Sequence, residues 1–132
     1  MGHIFSVNGT RISIETPLTD TGTFNMMAIF SNNFQESAKA MSELSILVAN
    51  ASIEKSQAKA NKEYTYSKLH SQHFNDKDVN GKKLTDSAVD AFVKVDKSYV
   101  DANTICAMAE ENYNIVKSHY ELGIKFLENF GK

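Results

Sequence analysis

The chain contains no tryptophan, one proline, one cysteine and six glycines in 132 residues. A single cysteine excludes an internal disulfide, and Cys106 sits on an apolar stripe, which fits a reducing cytoplasm. No apolar run approaches the ~20 residues that a membrane-spanning helix needs. No basic-then-apolar signal opens the chain. The expectation is a soluble, cytoplasmic protein with no membrane partner. Small residues (Ala, Ser) are many and tryptophan is absent, so the core reads as thin and drawn out. That composition favours burial between subunits. The length fits a single helical domain, residues 1–132.

The net charge is −2. A total so near neutral argues against wholesale coating of nucleic acid, but the charge is unevenly spread. Residues 1–51 carry two basic and four acidic groups, and residues 84–132 carry five and eight. Residues 52–83 carry seven lysines against four acids. The middle third is therefore the one plausible anion-facing region.

The strongest periodic signal lies near the C-terminus. Tyr99, Ala102, Cys106, Ala109, Tyr113, Val116, Tyr120, Gly123, Leu127 and Phe130 follow at alternating spacings of three and four. That is an a/d heptad register. It predicts a long helix over 96–130, about 50 Å in length at 1.5 Å per residue. All but Gly123 of these residues are assigned to oligomerisation, because such a seam needs a facing helix. The periodicity leaves open whether that helix belongs to the same chain or to a copy.

Upstream, Ile4–Val7 and Thr10–Glu15 alternate around Asn8-Gly9, which predicts a β-hairpin over 4–15. Thr16–Thr23 reads as a loop built around Pro17 and Gly22. A long helix is expected over 25–74, with Met27, Phe30, Phe34, Met41, Leu44, Val48 and Ala51 at three/four spacing. Residues 75–83 form a polar break with turn chemistry at Asn80-Gly81. Thr85 or Asp86 caps a short helix over 85–93, and Gly131 follows the last stripe residue as helix ends prefer. The fold class is mainly α: long helices forming a helical hairpin or coiled-coil-like assembly, plus a small N-terminal β-hairpin.

Past Ile53 one face of the long helix turns basic. Lys55, Lys59, Lys62 and Tyr66 fall at i, i+4, i+7 and i+11, with Tyr64, Lys68, His70 and His73 close by. Ammonium groups neutralise phosphates, and tyrosine rings stack on bases without reading sequence. Lys55, Lys59, Lys62, Tyr64, Tyr66 and Lys68 are thus candidates for nucleic-acid contact, although most lysine stripes are simply solvated helix faces. His70 and His73 lack the further ligands that structural zinc requires, so no metal site is assigned. Cys106 reads as a packing thiol rather than a nucleophile. No catalytic set and no cofactor motif emerges, and the expectation is a protein that is not an enzyme.

From Gly81 onward the chain runs GKKLTDSAVDAFVKVDKSYVDANTICAMAEENYNIVKSHYELGIKFLENFG. A Leu-Thr cap leads to a Val-Asp-Ala core, an Asp before Tyr-x-x-Ala, and a long helix ending in Phe-Leu-x-x-Phe-Gly. Together with the preceding KANKEYTYSKL, this resembles small phage-encoded recombination mediators of the UvsY type, over roughly the last two-thirds of the chain. The resemblance implies a single-stranded DNA-binding, ring-forming homo-oligomer in the host cytoplasm. It would help a RecA-like recombinase displace a single-strand-binding protein. It also implies DNA contacts at Lys59, Lys62 and Lys68 with Tyr64 and Tyr66 beside them, and assembly through the C-terminal helix. The alternative from another class is a helical structural or adaptor phage protein, or an inhibitor, acting by protein–protein interaction.

Overall fold

A computed structural model describes residues 4–15 and 22–130. Most of the loop read around Pro17, and the helix-closing Gly131, lie outside the described residues. The protein is mainly α-helical with a small N-terminal sheet. Strands β1 (Ile4–Val7), β2 (Thr10–Ser13) and β3 (Thr23–Asn25) precede a 3-10 helix, Met26–Phe30. Helices α1 (Phe34–His73), α2 (Asp86–Val95) and α3 (Lys97–Glu128) follow.

The chain groups into two compact units, Met1–Glu54 with Ala109–Lys132, and Lys55–Met108. The physical reason is helix length. Forty residues of α1 extend about 60 Å at 1.5 Å per residue, more than one small core can cover.

In the first unit the hairpin forms as its turn chemistry dictates. Asn8 and Gly9 take φ of 48° and 80°, the left-handed pair that a two-residue primed turn requires. Phe5 pairs with Ile12 and Val7 with Thr10. Strand β3 then adds in parallel to β2, giving the order β1-β2-β3. The hairpin tip is anchored where the Asn8 N–H donates to Glu54 Oε1.

The helix expected from Asn25 begins instead at Phe34. Met26–Phe30 winds as a 3-10 helix that buries Met26 and Ile29, whereas Met27 and Phe34 of the expected stripe are exposed. The chain then breaks and restarts. Asn33 Oδ1 accepts from the Glu36 N–H at 3.1 Å, and Ser31 Oγ donates to Glu36 Oε2 at 2.9 Å. Those contacts belong to a helix start with Asn at the cap and Glu three residues on. Buried Ser37 donates its hydroxyl to the Ile29 carbonyl at 2.5 Å, tying the short helix to α1.

The first core gathers Val7, Ile12, Phe24, Met26, Ile29, Met41, Leu44, Leu47 and Val116, with Tyr113, Tyr120 and Leu127 packed against it. Phe30 meets Phe126 edge-on at 5.5 Å, and Phe34 meets Phe130 at 5.4 Å. In the second unit Leu69, Val89 and Val93 form the core, with Tyr66, Leu84 and Tyr99 around it. Thr85 Oγ1 caps α2 by accepting from the Ala88 N–H at 3.2 Å. Asp78 Oδ1 holds the intervening turn through the N–H groups of Asn80 and Lys82, at 2.8 and 3.0 Å.

Much of the α3 seam assigned to oligomerisation packs within the single chain. Ala102, Cys106 and Val116 are buried within the single chain, Val116 at 0% exposure. Tyr113, Tyr120 and Leu127 pack on the first core, Phe130 lies against Phe34 and Phe126, and Tyr99 lies edge-on to Tyr66. Ala109 is half-buried. The stripe is thus covered in part by its own chain, with Tyr99, Tyr113, Tyr120, Leu127 and Phe130 half-buried.

Candidate nucleic-acid interface

The basic segment forms the second half of α1, and helical geometry divides its residues between two faces. Lys55, Lys59, Lys62 and Tyr66 share one face. That face also carries Ala51, four residues before Lys55, and Leu69, seven after Lys62, and both are buried. Lys55 and Lys62 are accordingly half-buried, and Lys59 is exposed. Long lysine stems can lie along apolar surface while their ammonium heads reach water.

Tyr66 is occupied. Its hydroxyl donates to Asp90 Oδ1 at 2.6 Å, and its ring packs edge-on against Tyr99 with centroids 5.9 Å apart. The bond to the Asp90 carboxylate, aided by burial, raises the Tyr66 phenol above its ordinary range. Asp90 is lowered in turn, first by Tyr66 and then by Lys94, whose Nζ lies 3.0 Å away. The same carboxylate raises Lys94. This is a structural staple between α1 and α2, and it holds the half-buried Tyr66 ring against Tyr99. Sequence spacing put Tyr66 with the lysines, and the signal it missed was Asp90 on the following amphipathic helix.

Tyr64 and Lys68 stand on the other face, one turn apart, and both are exposed; Tyr64 retains 66% of its surface. They line a groove of about 340 Å³ with Asn61, Thr65 and Gln72 from α1. Asp96 and Ser98, at the start of α3, form its far wall. Asp96 Oδ1 is engaged there, accepting from the Ser98 N–H at 2.8 Å. The amide and hydroxyl residues of this groove were not singled out in sequence. Their signal was the i, i+4, i+7, i+11 spacing of Asn61, Thr65, Lys68 and Gln72.

The histidines are engaged locally. His73 Nδ1 lies 2.7 Å from Asp76 Oδ2, and its ring stacks on Phe92 at 5.7 Å and 20°. His70 sits between the rings of Tyr66 and Phe74. Lys83 Nζ lies 3.9 Å over the Phe74 ring. Among the described residues no three His, Cys, Asp or Glu side chains converge on a metal position. Among them, too, no helix is long and apolar enough to cross a membrane.

Comparison with protein-family models found no match, and none was found among curated proteins or solved structures.

Proposed function

We propose that this protein is a non-enzymatic single-stranded DNA-binding mediator that helps load a RecA-like recombinase onto DNA held by a single-strand-binding protein. One observation carries the reading. In the stretch of net positive charge, exposed Lys59 and Lys68 and the exposed Tyr64 ring are presented by one rigid helix. Cations on a helix track phosphates, and a free ring accepts an unstacked base. Recombinase loading rests on the resemblance of the C-terminal two-thirds to mediators of the UvsY type. Self-association belongs to the same proposal.

The test is fluorescence anisotropy of a labelled single-stranded oligonucleotide across a salt series. For single strands log K falls with log salt by about 0.7 per neutralised phosphate. Lys59→Ala with Lys68→Ala is expected to weaken binding and to make the slope shallower by about 1.4 for the two charges. Absence of binding at low salt would refute the proposal. Recombinase loading is read separately, as faster onset of filament formation on strands precoated with single-strand-binding protein.

The adaptor reading keeps one observation in its favour. Ile46 is 62% exposed beside a groove of about 410 Å³ that Phe24 and Leu47 also line. A partner retained through nuclease treatment, and lost on Ile46→Glu, would support that reading over the first.

A further inference from the structure

We infer that the groove beside Tyr64 is a subsite for one unstacked nucleotide, its base lying on the Tyr64 ring and its phosphate at Lys68. The inference rests on the single-strand reading and narrows it to one place.

Four features of the groove carry it. Among the described residues, neither the ring nor the hydroxyl of Tyr64 has a partner, although the ring is the most exposed tyrosine surface on α1. Lys68, four residues on, brings one cation to the same face and forms no ion pair among the described residues. Asn61 and Gln72 also line the groove, and amides both donate and accept, as base edges do. The volume of about 340 Å³ lies near the lower end of small-ligand clefts, roughly 300–1,000 Å³.

The chemistry selects a single strand. In a duplex the faces of the bases are stacked inside the helix, and only an unpaired base can lie on a protein ring. Asp96 is the one acid in the lining, and its carboxylate already accepts from the Ser98 N–H. It caps α3 from the far wall of the groove, opposite the α1 wall that carries Lys68. Lys59 and Lys62 lie on a different face of α1 and contribute charge without touching this groove.

The experiment uses the full chain and two probes. Deoxynucleoside monophosphate is titrated against protein carrying isotope-labelled tyrosine rings. Separately, the affinity for an oligonucleotide is compared with that for an abasic strand bearing the same number of phosphates. The Tyr64 ring signals are expected to move with the mononucleotide while those of Tyr113 and Tyr120 stay. The intact strand is expected to bind roughly 5- to 150-fold tighter than the abasic one, the worth of one stacked base. Tyr64→Phe should keep that ratio and Tyr64→Ala should abolish it, with helical circular dichroism checking the fold. Equal affinity for both strands, or a ratio that survives Tyr64→Ala, overturns the subsite and leaves the single-strand reading standing. Mononucleotide shifts at Tyr64 without binding of any strand overturn the single-strand reading and leave the subsite standing. Silence toward both probes overturns both.

Discussion

Gly123 interrupts the apolar stripe of α3 at a point of tight packing against Met41. A Cβ built there would lie 2.3 Å from Met41 Sδ and 3.3 Å from Ile29 Cδ1. In an exposed helix Gly costs about 1 kcal/mol relative to Ala, so its presence mid-helix calls for a packing reason. Gly123→Val is expected to lose about 1–3 kcal/mol through overpacking. Urea denaturation checks it, and an unchanged midpoint would mean that the Met41 tail swings clear. Tyr64 and Tyr66 make the complementary point. Two residues apart on a helix, they point about 200° apart. One ring is bonded into the second core and the other faces solvent.

Among the elements, α1 and α2 are joined by Tyr66, Asp90 and Lys94. The signs of their shifts set a pH window. Asp90 is lowered, so its contribution is present above the ordinary carboxylate range and is lost as pH falls through its folded value. Tyr66 is raised, so its contribution is present below about pH 10 and is lost as pH rises through its folded value. The staple therefore holds from mildly acid to mildly alkaline pH. Asp90→Asn is expected to flatten the acid limb of a thermal-stability profile and to bring the phenol back toward its ordinary value. An ultraviolet titration of tyrosine ionisation reads the second effect. An acid limb unaltered by the substitution would show that Asp90 ionises alike folded and unfolded.

For the molecule as a whole, the buried part of the α3 seam supplies stability to the single chain. Val116→Ala opens space in the first core and is expected to lower the denaturation midpoint while leaving the light-scattering mass unchanged. A fall in mass on this substitution would return the seam to an intersubunit role. Exposed apolar residues do remain on α3, among them Ile105, Met108 and Leu122. Self-association, where measured, should respond to changes at such positions instead.

Local chemistry made much of this fold legible from the residues. Asn8-Gly9 demands its turn, Thr85 its cap, and the three/four spacing from Tyr99 its long helix, because each acts over a few neighbouring positions. The start of α1 was also readable, through Asn33 and Glu36, but apolar spacing that continues across the break hid it. Long-range pairing was not readable. Three residues of β3 carry too little pattern to announce a parallel partner twelve residues away. The candidate site divided the same way: lysine and tyrosine spacing pointed to the segment, and only the packing of Leu69, Asp90 and Tyr99 showed that Tyr66 is engaged while Tyr64 is exposed. Periodicity states that a face needs cover. What covers it depends on which distant surface reaches it first, and here the chain's own residues do.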